Sequence, residues 1–167
     1  MKIEFKTILL IHSNEEKFRN LSSMLIRAGY YIISEKYGNA ALKILRRANI
    51  DLVVSSGALP DMSSKKFLTE INSLNYSDRT IFISDQRSME EYFQYGLLGL
   101  YYYATRNISP KNIFLTVKDF FEDLRPIKAL RKTNEVSASP FSNLLQRTRN
   151  NLHFFGYRNW EEKRSPC

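Results

Sequence analysis

The hydrophobic positions fall into two alternating rhythms. Short apolar runs of four or five residues end in small or polar residues, and each is followed by a stretch in which apolar residues return every three or four positions. Thr7-Ile-Leu-Leu-Ile11 stops at His12-Ser13-Asn14 and predicts a first strand over Lys6 to Ile11. Ser13 or Asn14 is placed to cap a helix with Phe18, Leu21, Leu25 and Ala28 on one face, closed by Gly29. Tyr30 to Glu35 alternates weakly as a second strand, and Gly38-Asn39 opens a helix facing inward through Ala41, Leu42, Leu45 and Ala48. The stretch Asp51-Leu-Val-Val-Ser-Ser-Gly-Ala-Leu-Pro-Asp-Met62 reads as a buried third strand delivering a loop, with Ser56 near the centre of any site. Ser63 or Ser64 caps a third helix bearing Phe67, Leu68, Ile71 and Leu74, and Thr80 to Ser84 is a fourth buried strand.

Ser88 is placed to cap a short fourth helix with Met89, Tyr92, Phe93 and Leu97, closed by Gly96 and Gly99. Leu100 to Ala104 is the fifth strand. Ser109-Pro110 then starts a fifth helix with Ile113, Phe114, Val117, Phe120, Phe121 and Leu124 on its apolar face. Five strands alternating with helices through short loops imply an α/β domain, a parallel sheet covered on both faces. The pattern stops after Leu124. The expected organisation is a domain over 1–124, a linker over 125–138 with a prolonged helix as an alternative over Ile127 to Arg131, and a tail over 139–167. Ser139-Pro140 repeats the helix-start signal, and Phe141, Leu144, Leu145, Leu152 and Phe155 share one face of a C-terminal docking helix.

Charge changes the picture at one end only. Residues 1–125 carry 17 Lys+Arg against 14 Asp+Glu, whereas residues 126–167 carry 8 against 3, so the tail is basic. A basic tail meets nucleic acid, anionic lipid or an acidic protein surface, although a solvated extension is the plainer reading. No apolar stretch reaches the length of a membrane span, and the amino terminus leads into a strand without a signal-peptide pattern, so the expected location is the cytoplasm. The single cysteine, Cys167, rules out an intrachain disulfide.

From Lys6 to about Leu124 the sequence resembles the receiver domain of two-component response regulators. The likeness rests on Ile8-Leu-Leu-Ile-His12-Ser13-Asn14-Glu15, on Asp51 to Met62 with Leu59-Pro60-Asp61-Met62 as its most specific piece, on Ile81-Phe82-Ile83-Ser84, and on Gly99 to Lys111. It implies a doubly wound five-stranded sheet of flavodoxin-like order, 2-1-3-4-5. In that family, acids after the first strand and an aspartate ending the third hold magnesium, the aspartate accepts a phosphoryl group, and a lysine binds the phosphorylated form. Here His12 and Ser13 stand for the acids, Ser56 for the acceptor and Arg106, or else Thr105, for the lysine; Ser84 keeps its hydroxyl. Asp85 either returns one carboxylate to this cleft or caps the next turn. Magnesium needs hard oxygen ligands, usually with one or two carboxylates. The expectation is therefore an atypical receiver not switched by aspartyl phosphorylation, with no metal, no cofactor and no catalytic residues.

His12 is read as a structural histidine in preference to a metal ligand, and Asp61 as a solvated turn acid. Contact surfaces are sought elsewhere. Met89, Tyr92, Phe93, Tyr95, Tyr101, Tyr102 and Tyr103 make the fourth-helix and fifth-strand side unusually aromatic, which suits a protein-binding face as well as a core. By the resemblance Tyr103 occupies the aromatic position that changes rotamer on activation. The expected function is bacterial-type signal transduction through a protein partner, with a homodimer possible in principle. Two other classes remain open: a transcription regulator or nucleic-acid adaptor using Arg147, Arg149, Arg158 and Trp160 of the tail, and a flavodoxin-like cofactor or ligand carrier. Against the latter, no glycine-rich phosphate loop follows the first strand.

Overall fold

The structure is a computed structural model that describes residues 5–13, 15–85, 94–95 and 97–132. Contacts divide the chain into two units, Met1–Asp123 and Leu124–Cys167, and the sheet belongs to the first. Its elements are β1 (Thr7–Ile11), α1 (Glu15–Arg27), β2 (Tyr31–Glu35), α2 (Gly38–Arg47), β3 (Leu52–Ser56), α3 (Ser64–Ser73), a 3-10 turn (Ser77–Arg79), β4 (Thr80–Ser84), β5 (Tyr102–Thr105) and α4 (Pro110–Lys132). The five strands are all parallel in the order β2-β1-β3-β4-β5. The parallel sheet expected from the alternation, and the doubly wound order 2-1-3-4-5 implied by the resemblance, are the ones observed.

Strand and helix periodicities explain which residues become core. On one face of the sheet Leu9, Ile11, Val53 and Phe82 pack against Ala41, Leu42 and Leu45 of α2 and Phe67, Leu68 and Ile71 of α3. Their neighbours in sequence, Ile8, Leu10, Leu52, Val54, Ile81 and Ile83, are equally buried and point to the opposite face by strand alternation. Phe18, Leu21 and Leu25 of α1 and Ile113, Val117 and Phe120 of α4 supply the buried side chains of the remaining helices.

Helix ends follow recognisable local chemistry. At the end of α1, the Tyr30 amide donates to the Leu25 carbonyl and the Gly29 amide to Ile26. This paired closure needs a left-handed residue, and Gly29 supplies it at φ +88°. The end of α3 repeats the arrangement with Asn75 at φ 59°, the Tyr76 amide donating to Ile71 and the Asn75 amide to Asn72. Ser63 caps α3 by accepting from the Lys66 amide, and Ser109 accepts from the Asn112 amide at the start of α4.

Two boundaries differ from expectation. β5 starts at Tyr102, two residues later than Leu100, because Leu97 to Gly99 form a turn with Gly99 at φ +71°, and the Tyr101 amide first bonds the Ser77 carbonyl. Leu97 consequently sits in a turn, 89% exposed, and not on an inward helix face. α4 also continues past Leu124, through Pro126, to Lys132, so the prolonged helix over Ile127 to Arg131, and not the linker, is what residues 125–132 form. A proline removes one backbone donor, yet the helix is already anchored by buried Ile113, Val117, Phe120 and Phe121. Among the described residues no helix is long and apolar enough to cross a membrane.

Candidate functional site at the strand ends

Parallel register brings the carboxyl ends of the central strands side by side. Ile11 lies opposite Ser55, Ser56 opposite Ile83, and Ser84 opposite Thr105. His12, Ser56, Ser84 and the Thr105-Arg106 pair therefore end four adjacent strands at one edge of the sheet. This is also where the winding reverses, since β1 is flanked by β2 on one side and β3 on the other, and ligands of open α/β sheets bind at that edge.

The three inner positions are closed in. His12 and Ser56 are each 9% exposed and Ser84 is 3% exposed. The His12 amide donates to the Glu35 carbonyl at 3.0 Å, and its ring lies flat on Phe18, with centroids 4.6 Å apart and planes 6° from parallel. The imidazole thus fills space beneath α1. Ser55 Oγ donates to the Ser56 carbonyl at 3.0 Å, while the Gly57 amide donates to the Ile83 carbonyl at 2.7 Å. The fit at Gly57 is tight: a Cβ would meet the Phe82 ring at 3.2 Å and Ser64 Oγ at 3.3 Å, so a side chain there needs its neighbours to give by a few tenths of an ångström. Ser13, Asp85 and Arg106, by contrast, are exposed.

These residues do not fit a magnesium ion. The ligands facing the edge are neutral hydroxyls and a stacked imidazole, and Asp85 is the one acid directly following a central strand there. Magnesium takes hard oxygens in near-octahedral geometry, usually with one or two carboxylates, and the exposed Asp85 is a sparse start for such a set. Among the described residues no three His, Cys, Asp or Glu side chains come together in a way that could hold a metal.

Asp61 is exposed in a bend, as its neighbours in sequence suggest, and it also makes a bond to another element. Its Oδ1 accepts from the Gly38 amide at 2.8 Å and its Oδ2 from the Asn39 amide at 2.9 Å. It caps α2 from 23 residues away, where Tyr37 makes no side-chain capping bond. Desolvation pushes the Asp61 carboxyl up, but the bonds from Asn39 and Gly38 outweigh it and hold the carboxyl below the ordinary aspartate value. No local pattern in sequence announces this cap, because donor and acceptor lie on separate elements.

The aromatic residues divide between core and edge. Tyr95 is 5% exposed and meets Phe82 edge-on at 5.7 Å, so it belongs to the core and not to an open face. Tyr103 packs on the same two rings, 6.1 Å from Phe82 and 6.2 Å from Tyr95. Tyr101 turns to Phe120 of α4 at 4.8 Å, so the tyrosines do point to different sides. Tyr102 is half-buried, and that burial pushes its phenol pKa up. Met89, Tyr92 and Phe93, like the tail positions Phe141, Leu144, Leu145, Leu152 and Phe155, lie outside the described residues.

Comparisons with known proteins agree on this architecture. No family model matches the chain. The transcriptional regulatory proteins GlrR of Escherichia coli K12 and QseF of Escherichia coli O157:H7 are each 20% identical over 119 residues, covering 71% of this chain and 27% of their own. The chain thus spans about a quarter of the length of these curated relatives. Among solved structures, the signal receiver domain of a LuxO-type repressor protein from Vibrio parahaemolyticus superposes with a TM-score of 0.68 at 16% identity, over 76% of this chain and 98% of that one. A CheY-like receiver domain from Methanospirillum hungatei gives 0.66 at 18%, over 72% and 96%. The beryllofluoride-activated NtrC4 receiver domain dimer gives 0.63 at 24%, over 71% and 98%. The chain has the CheY-like receiver fold.

Proposed function

We propose that this receiver-fold chain is an atypical response-regulator receiver that signals without aspartyl phosphorylation and performs no catalysis. The observation that carries this reading is the neutral strand-end corner, where His12 and Ser56 are buried in place of a carboxylate cage and Ser84 alone keeps the family's hydroxyl. Phosphoryl transfer depends on positioning and on cations that balance developing charge. A serine with neither metal nor adjacent base is a weak nucleophile. Output then passes through protein contacts, with a partner in a two-component pathway or with a second copy, as in the receiver dimer noted above.

The proposed organisation is a receiver over 1–124, a connecting segment over 125–138 and a basic docking tail over 139–167, working in the cytoplasm. Tyr102 of β5, together with Met89, Tyr92 and Phe93, forms one proposed contact face. Phe141, Leu144, Leu145, Leu152 and Phe155 form the other. A second reading, transcription control through the tail, is favoured by its 8 Lys+Arg against 3 Asp+Glu and by the regulatory names of the two relatives; its mark is DNA affinity that falls steeply with salt.

The test is to add magnesium with beryllofluoride or acetyl phosphate to the full chain and follow amide shifts and tyrosine fluorescence. The expected outcome is no change. A saturable, magnesium-dependent response overturns the reading.

A further inference from the structure

The loop after β3 is fastened at several points. The Gly57 amide donates to the Ile83 carbonyl at 2.7 Å, Ser64 Oγ donates to the Gly57 carbonyl at 2.8 Å, and Ser63 Oγ accepts from the Lys66 amide at 3.3 Å. Midway, Asp61 reaches to another element and takes the Gly38 and Asn39 amides, the first two of α2. That helix has no acid in its first turn and no side-chain cap from Tyr37, so the first amides of α2 depend on the loop for their acceptor. Met62 closes the contact from the apolar side. A Cβ on Gly38 would lie 2.7 Å from Met62 Sδ and 3.1 Å from Leu59 Cδ1, and Leu59 and Met62 both pack against the core beneath α2 and α3.

From these contacts we infer that Asp61 and Met62 form a latch that joins the β3–α3 loop to the amino end of α2 and holds the two in one conformation. Opening the loop removes the cap of α2, and fraying α2 removes the anchor of the loop. The dependence is reciprocal, as any coupling between two sites must be. This inference rests on the receiver reading in one respect: with no phosphoryl group to set the loop, the chain's own side chains set it. Asp61 is thus a positioning residue for the strand-end corner that begins at Ser56.

Amide hydrogen exchange on the full chain, read residue by residue by NMR, tests the latch in wild type, Asp61→Ala, Asp61→Asn and Gly38→Ala. Losing the acceptor is expected to speed exchange at Gly38 and Asn39 directly. The diagnostic amides are Gly57 and Phe67, which donate to Ile83 and Ser63 and never to Asp61. In Asp61→Ala they should exchange about fivefold faster, with Asp61→Asn intermediate because its amide oxygen keeps one bond. Gly38→Ala approaches from the helix side, displacing Met62 while keeping the carboxylate, and should accelerate the same two amides. Wild-type rates at Gly57 and Phe67 in either the Asp61→Asn or the Gly38→Ala protein overturn the latch and reduce Asp61 to a local cap. A magnesium and beryllofluoride response in wild type, with the exchange coupling intact, would instead overturn the receiver reading and leave the latch standing.

Discussion

The three inner strands and the two outer ones are built from different chemistry. β3 and β4 are buried at every position and β1 at four of five, whereas β2 is nowhere fully buried and β5 only at Ala104. Leu52-Val-Val and Ile81-Phe-Ile are continuous apolar runs, as strands covered on both faces must be. Tyr31-Ile-Ile-Ser-Glu35 and Tyr102-Tyr-Ala-Thr105 mix apolar bodies with polar ends. The interior therefore holds the fold, and the margins are free to carry amphipathic groups. Even the polar residues that end the inner strands obey this division, since Ser55, Ser56 and Ser84 are neutral where burial would make an unpaired carboxylate costly.

The largest test of that contrast is Phe82→Ala. Phe82 is fully buried in β4 and meets both Tyr95 of the core and Tyr103 of β5, so truncation removes the ring and leaves a cavity that these two tyrosines line. A loss of about 3–5 kcal/mol is expected from chemical denaturation. A loss below about 1 kcal/mol would mean that the margin relaxes inward to fill the site, and the division between inner and outer strands would dissolve.

Legibility in the sequence follows the same division. The inner strands could be read because a run of Ile, Leu, Val and Phe bounded by small polar residues has one physical solution in a chain of this kind. Gly29, Ser63 and Ser109 could be read because their partners lie within a few residues. The strand-end corner was visible through its resemblance to receivers, which located His12, Ser56 and Ser84. The reach of Asp61 to Gly38 could not be read, because a bond across 23 residues leaves no periodicity. The start of β5 also escaped, since the bond from Tyr101 to Ser77 competes with the ladder and only the folded chain reveals it. The polar stretch after Leu124 left linker and prolonged helix both open, because its apolar period fades there while the helix is held by packing upstream at Ile113, Val117 and Phe120.

Asp51 sharpens the contrast at the opposite end of the inner strands. Its Oδ2 accepts from the Thr7 amide at 2.9 Å and its Oδ1 from Lys6 Nζ at 3.2 Å, tying the start of β1 to the start of β3. Asp51→Ala is expected to cost about 1–2 kcal/mol, because a part-buried amide loses its acceptor. Asp51→Asn should recover most of that, since it keeps an acceptor for Thr7 and gives up only a half-exposed ion pair of about 0–1 kcal/mol. If Asn were as damaging as Ala, the ion pair and not the amide bond would be what joins the two strands.

The smallest effect is expected at the margin, in the alkaline range. The Tyr102 phenol is half-buried in β5, and desolvation of the phenolate raises its pKa above 10.0. The folded chain therefore binds this proton more tightly than the unfolded chain. The linked stability is fully present below pH 10, the unfolded value, and is lost as pH rises through the higher folded value. Tyr102→Phe removes the ionisation, so its stability should fall less than that of wild type across this window, while the two proteins run parallel at neutral pH. A difference titration of phenolate absorbance between them isolates the single group, and its midpoint is expected above 10. A midpoint at or below that value would mean that β5 leaves Tyr102 open to water, and the outer strand would then not be half-buried at this position.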